Sequence, residues 1–363
     1  MDRRISGRLL TLAAAALVAT ACESATGPEN DNPFDAEGAL EDFEALELIL
    51  SSEAMAGFRA LGGGITFEGA APEVVAALRV GAELGTAMTT ADPRDLLPAL
   101  TKLEERPLNA PIISSFRRGK TFVYDPGPGR YVVDTDREGA PDNGVRFILY
   151  EAGQDGRPDP SKEVGYADLL DEGDESLEDI ALRLVVVEGA DTILGYRTTL
   201  DVQDSGGTIT VAGFLQGEEE RLEFDIQVRG SAGPEEDRVD VTFEMGIAPR
   251  EFSIQGSVSG VESESGEGGE IGLLVQHGAD SFQVEITGTE DTLDGTFYLN
   301  GDLFATVSGD PDDPTFTSAT GEPLTWVELL VLRQIFDSTE DVFDFWEDLL
   351  DPVDELVILA IIL

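Results

Sequence analysis

Few side chains in this chain of 363 residues are equipped for covalent or metal chemistry. It has one histidine, His277, and one cysteine, Cys22. A serine triad or a histidine-bound zinc would have to use His277. No GxSxG elbow leads into a helix, however, and no HExxH or paired Cys/His spacing exists. His277 falls in phase with Ile271, Leu273 and Val275, which predicts an inward position at the end of a strand. Oxygen ligands are abundant, with 73 Asp and Glu. Asp134, Asp136 and Glu138, followed by Gly139, place carboxylates at alternate positions before a turn, as at the start of a calcium loop. Val145 stands where that loop needs a bidentate carboxylate, so the ligand set for Ca2+ is incomplete. Asp310-Pro311-Asp312-Asp313-Pro314 is a second acidic cluster. A calcium-binding surface protein is one alternative these residues leave open. Paired carboxylates also cleave glycosides, which leaves a cell-envelope hydrolase as another; it needs an open cleft with two acids about 5–10 Å apart. The aromatic platforms of such clefts are scarce here, since Trp326 and Trp346 fall at helical spacing near the C-terminus. Gly62-Gly63-Gly64 lacks the Lys-Ser/Thr that completes a phosphate loop. No catalytic residue is assigned, and the expectation is a protein that is not an enzyme.

The formal charge is −50, and Lys102, Lys120 and Lys162 are the only lysines. Such a surface repels phosphate backbones and argues against nucleic acid as a partner. It offers no attraction to anionic lipid either. Solubility outside the cell, or adaptation to salt, explains the acidity without any site. Hydrophobic residues make up 41% of the chain, enough for a folded core.

The first 22 residues give an address. Arg3, Arg4 and Arg8 precede an apolar run from Leu9 to Ala19, and Ala19-Thr20-Ala21-Cys22 follows. A basic start, a short apolar core and small residues at a cut define a secretory leader, and the core is too short to span a bilayer. This segment resembles the signal peptide and lipobox of bacterial lipoproteins, although Ala19 stands where that family commonly has leucine. The resemblance covers only the start of the chain, and the body is not recognised. It implies cleavage after Ala21 and acylation of Cys22, with the lipid bilayer as the partner. Acylation also accounts for a lone thiol in an exported protein. Two or three acyl chains, at about 0.8 kcal/mol per buried methylene, make a durable anchor. Glu23 follows the cysteine directly; in the family an acidic residue there influences which membrane retains the protein, and the outer membrane is favoured.

The elements follow in order. Residues 1–21 are the leader, and the polar, Gly/Pro-punctuated residues 22–33 read as a flexible tether. Residues 34–110 read as helical, with Leu40, Phe43, Leu46 and Leu50 on one face. From about 120 to 310 the period becomes two, as in Leu222, Phe224, Ile226, Val228 and in Val239, Val241, Phe243, Met245. Residues 151–179 read as an acidic loop with one short helix. Asn300-Gly301 predicts a tight hairpin. Residues 323–363 return to a helical period. The expected fold class is α+β: a large antiparallel β-meander, in the form of an open half-barrel, with one apolar face covered by N- and C-terminal helices. In architecture alone, with no motif behind it, this is similar to periplasmic lipid carriers. Phe224, Phe243 and Leu273 are the expected lining of a pocket for an apolar small molecule. If the covering elements fill that space, the protein is a scaffold for another envelope protein.

Overall fold

The computed structural model describes residues 115–321, apart from 154–155, 174–179, 204–205, 218–219, 234–235, 264–265, 290 and 312, together with 41, 42, 45, 113 and 324. Fifteen strands account for nearly all of it. The first four are β1 (Lys120–Asp125), β2 (Arg130–Asp134), β3 (Gly144–Ala152) and β4 (Pro158–Asp171). Next come β5 (Ile180–Glu188), β6 (Asp191–Gln203), β7 (Gly206–Gln216) and β8 (Arg221–Ala232). They are followed by β9 (Glu236–Ala248), β10 (Phe252–Ser263), β11 (Gly266–His277) and β12 (Asp280–Thr289). The last are β13 (Leu293–Leu299), β14 (Asp302–Asp310) and β15 (Asp313–Ser318).

All fifteen form one open sheet. From β3 to β15 each strand pairs antiparallel with the next in the chain, because the turns between them are short. The β13–β14 turn is an example: Asn300 and Gly301 both take positive φ, 51° and 82°, as a two-residue hairpin requires. The exception lies at the start. β2 lies at the sheet's edge, and the chain crosses the lower end of β1 to enter β3, so β1 and β3 run parallel. Only three residue pairs, Lys120–Phe122 with Val145–Phe147, form that parallel ladder. Aromatic packing reinforces it. Phe122 stacks on Phe147 at 5.0 Å between centroids, and Tyr131 meets Phe147 edge-on at 5.9 Å. The Tyr131 hydroxyl donates to the Ile148 carbonyl at 2.9 Å, and burial pushes its phenol pKa up.

Strict alternation makes the sheet two-faced. Opposed residues across successive strands share a face, so Tyr196, Gly213, Phe224, Met245, Ile254, Val275 and Phe282 form one apolar row. Its neighbour runs Ile226, Phe243, Gly256, Leu273, Val284, Phe297 and Ala305. The bulky members of both rows are buried in one continuous core. On the other face the corresponding row reads Thr199, Thr210, Gln227, Thr242, Ser257, Gly272, Glu285 and Thr296. Hydroxyls and carboxylates meet water there.

Two expectations are corrected. An α+β fold with helices laid over the sheet gives way to a nearly all-β structure, 75% strand among the described residues. Helical backbone there is confined to Glu41, Asp42 and Ala45. The rest of the helical readings at 34–110 and 323–363 lies outside the described residues. The lid was inferred from an apolar face that needed cover, an argument that fixes burial but not the kind of element supplying it. The second correction concerns 151–179, read as a loop with a helix. β4 fills its middle, and its charges are neutralised from neighbouring segments: Asp168 by Arg146 of β3, and Asp171 by Arg118 at 2.9 Å.

Candidate functional site

Cys22 and Ala21 lie outside the described residues. The proposed apolar lining lies inside them. Phe224, Phe243 and Leu273 project from β8, β9 and β11 on the buried face, each with at most 8% of its surface exposed. Phe243 and Leu273 sit in register on either side of Gly256. A Cβ built on Gly256 would lie 2.1 Å from Cζ of the Phe243 ring. The ring therefore lies across the glycine and occupies the notch between the two strands. Tyr196 and Phe224 flank Gly213 in the next row, with ring centroids 6.2 Å apart, and a Cβ on Gly213 would lie 2.3 Å from Cβ of Tyr196. All three residues lie in the buried core, with the Phe243 ring packed over Gly256.

Two grooves open on the wet face. The larger, of about 510 Å3, crosses β7 to β10 over a floor of Ala212, Gly246 and Ser253. Glu223, Asp225 and Glu244 rise along it, and Arg250 stands at its end. Asp225 and Glu244 are directly opposed in register. Such a pair holds its Cβ atoms about 4.5–5.5 Å apart and destabilises the sheet when both are charged. Gln255 Nε2 donates to Glu244 Oε1 at 3.4 Å. The smaller groove, of about 310 Å3, runs in register from Ser259 across Glu270 and Thr287 to Asp294, with Arg238 also lining it. These carboxylates could attract cationic groups of a partner. The pairing of Asp225 with Glu244 is invisible in either strand alone, since it depends on the register between them.

The calcium-like loop is organised differently. Asp134 ends β2, and its Oδ1 accepts the N–H of Asp136 at 2.9 Å. Arg137 places Nε 3.7 Å from Asp134 and grips Glu163 of β4 with both terminal nitrogens, at 2.9 and 2.8 Å. That grip raises the pKa of Arg137. Val145 is wholly buried on β3 and faces away from the loop's solvent side. Among the described residues no group of three or more His, Cys, Asp or Glu side chains is placed to hold a metal. Asp134 thus serves a turn and an ion pair in this structure.

His277 closes β11 on the apolar side, as its phase predicted. Its Nδ1 lies 2.5 Å from Asp42 Oδ2. The other oxygen of Asp42 accepts from Arg250 Nη1 at 2.7 Å, and Arg250 Nε donates to Glu220 at 2.8 Å. Asp42 is 3% exposed and comes from the helical residues near the N-terminus. Hydrogen bonds to Asp42 first, and to Glu220 second, raise the pKa of Arg250 and hold its charge. One carboxylate thus clasps the turns that precede β8, β10 and β12. No sequence signal announces it, because the partners are 208 and 235 residues away.

No family model, no curated protein and no solved structure matches this chain. The reading of function rests on its own residues.

Proposed function

We propose that this chain is an exported lipoprotein of the cell envelope, anchored by acyl groups on Cys22, whose sheet is a non-catalytic binding or structural module for another envelope protein. The observation that carries the reading is the basic and apolar leader ending in Ala19-Thr20-Ala21 before the only cysteine. The sheet supports the second half. Its apolar face is interlocked around Gly213 and Gly256, which favours a scaffold over a carrier of apolar molecules. Its polar face is long, regular and acidic, and two grooves are cut into it. The sole histidine is engaged with Asp42. The outer membrane is the proposed destination. Intact-mass measurement of the natural product is expected to show a mature chain starting at a diacylglyceryl-modified Cys22. Cys22→Ser is expected to keep its leader and to take up no labelled palmitate. An unmodified thiol, or a leader retained on the wild-type protein, would overturn the anchor.

A carboxylate-based hydrolase remains the second reading, because Asp225 and Glu244 stand side by side in an open groove. The two readings part on the double variant Asp225→Asn/Glu244→Gln. For a binding module, removing the like charges relieves repulsion of about 0.2–1 kcal/mol, so thermal stability rises slightly, and less in high salt. For a hydrolase, the wild type cleaves a glycoside panel and the double variant loses that turnover.

A further inference from the structure

We propose that the end of the sheet bearing the β7–β8, β9–β10 and β11–β12 turns faces the bilayer, and that the Asp42 clasp sets this orientation. The inference rests on the lipid anchor at Cys22 proposed above. In a meander the turns alternate between two ends, so these three share one end, and the β8–β9, β10–β11 and β12–β13 turns share the other. Among the described residues Asp42 bonds at the first end, to Arg250 and His277. The chain between Cys22 and Asp42 is twenty residues, at most about 70 Å if fully stretched. Asp42 is held at the clasp, so the shortest path from the lipid to this residue ends there. The opposite end lies about 40 Å further on, the length of a strand of 12 or 13 residues such as β9 or β10.

Charge acts in the same direction. At the far end, β9 begins with Glu236 and Asp237, Glu262 and Glu267 lie near the ends of β10 and β11, and Asp291 precedes β13. Arg238 is the only base within these runs. At the clasped end, Arg221 and Arg250 stand with Glu220 and Glu251, and Asp280 is opposite His277. Anionic headgroups repel the far end more strongly, over a range of about one Debye length. A sheet held this way presents its acidic turns outward, away from the membrane.

The test uses the full acylated protein in phosphatidylethanolamine and phosphatidylglycerol vesicles carrying a headgroup acceptor dye. Glu251→Cys at the clasped end and Glu236→Cys at the far end each accept a donor dye and each remove one carboxylate. Energy transfer from position 251 is expected to exceed that from 236 by about twofold or more, given the strand length between them. Asp42→Ala is expected to abolish most of the difference, and Arg250→Gln to reduce it; circular dichroism checks that each variant is folded. Equal transfer from both positions in protein that floats with the vesicles would refute the orientation. An unchanged difference in both folded clasp variants would refute the role of Asp42. Failure of the wild type to float separates the other case, in which the anchor itself is wrong and the inference falls with it.

Discussion

Gly256→Ala is expected to destabilise the sheet by about 2 kcal/mol, within the range of overpacked cores, and to lower the unfolding midpoint by roughly 4–8 °C. The new methyl would stand 2.1 Å from Cζ and 2.3 Å from Cε1 of Phe243, where no Cβ can remain. The ring has to leave its rotamer, and on that face it has little room to do so. Phe243 is 5% exposed, with Ile226 opposed to it on β8 and Leu273 beyond Gly256 on β11. The partner variant Phe243→Leu loses buried ring area and costs about 1–2 kcal/mol alone. Combined with Gly256→Ala, it supplies the space the methyl needs, so the double variant should cost less than the sum by about 1 kcal/mol. A chemical-denaturation cycle over the four proteins reads this coupling directly. Strict additivity would mean that the ring does not sit in the glycine notch. The pocket reading for Phe224, Phe243 and Leu273 would then regain ground.

That notch also marks how far the sequence could be read. The alternation in β8 and β9 assigns Phe224 and Phe243 to one face without any knowledge of neighbours. What it cannot say is which residue stands opposite, and the same Phe243 lines a cavity or fills one according to whether its partner is glycine. The hairpin at Asn300-Gly301 was legible because the turn's own backbone demands those residues. β4 was not, because its signal is split. Pro158 to Glu163 is polar and mostly exposed, and the buried positions resume only at Ala167. The carboxylates of Asp168 and Asp171 look solvated until arginines from other segments are placed against them. The parallel pairing of β1 with β3 was hidden for a different reason: a chain that otherwise pairs neighbours gives no local cue to skip one. The Asp42 clasp lies beyond any local argument, joining positions more than 200 residues apart.

The second large effect is expected at Arg146. This side chain reaches from β3 to its register partner Asp168 on β4, with two hydrogen bonds of 2.7 Å, and its guanidinium lies 3.6 Å from the Tyr166 ring centroid. The bonds to Asp168 raise its pKa and so favour the charged form. The pair retains 19% and 14% of its side-chain exposure, which screens it partly. Arg146→Leu should therefore cost about 2–3 kcal/mol, below the 3–5 kcal/mol typical when a fully buried carboxylate loses its partner. Arg146→Lys keeps the charge but loses the fork and the ring contact, at about 1–2 kcal/mol. Replacing both partners, Arg146→Leu/Asp168→Leu, leaves no orphaned charge and should recover most of the loss. The damage should also spread in a particular direction. Arg146 Nη1 lies 3.3 Å from where Gly139 would carry a Cβ, so loop 135–143 packs against this guanidinium, and Thr121 of β1 is its register partner on the other side. Hydrogen exchange at Asp136 and at β1 amides should therefore rise in Arg146→Leu before that at β8 or β9. Uniform loosening of the whole sheet would show that the three-residue parallel ladder is not the weak joint. If the loop and β1 open first, the ion pair holds the non-consecutive strands in place, and the meander from β3 onward stands without it.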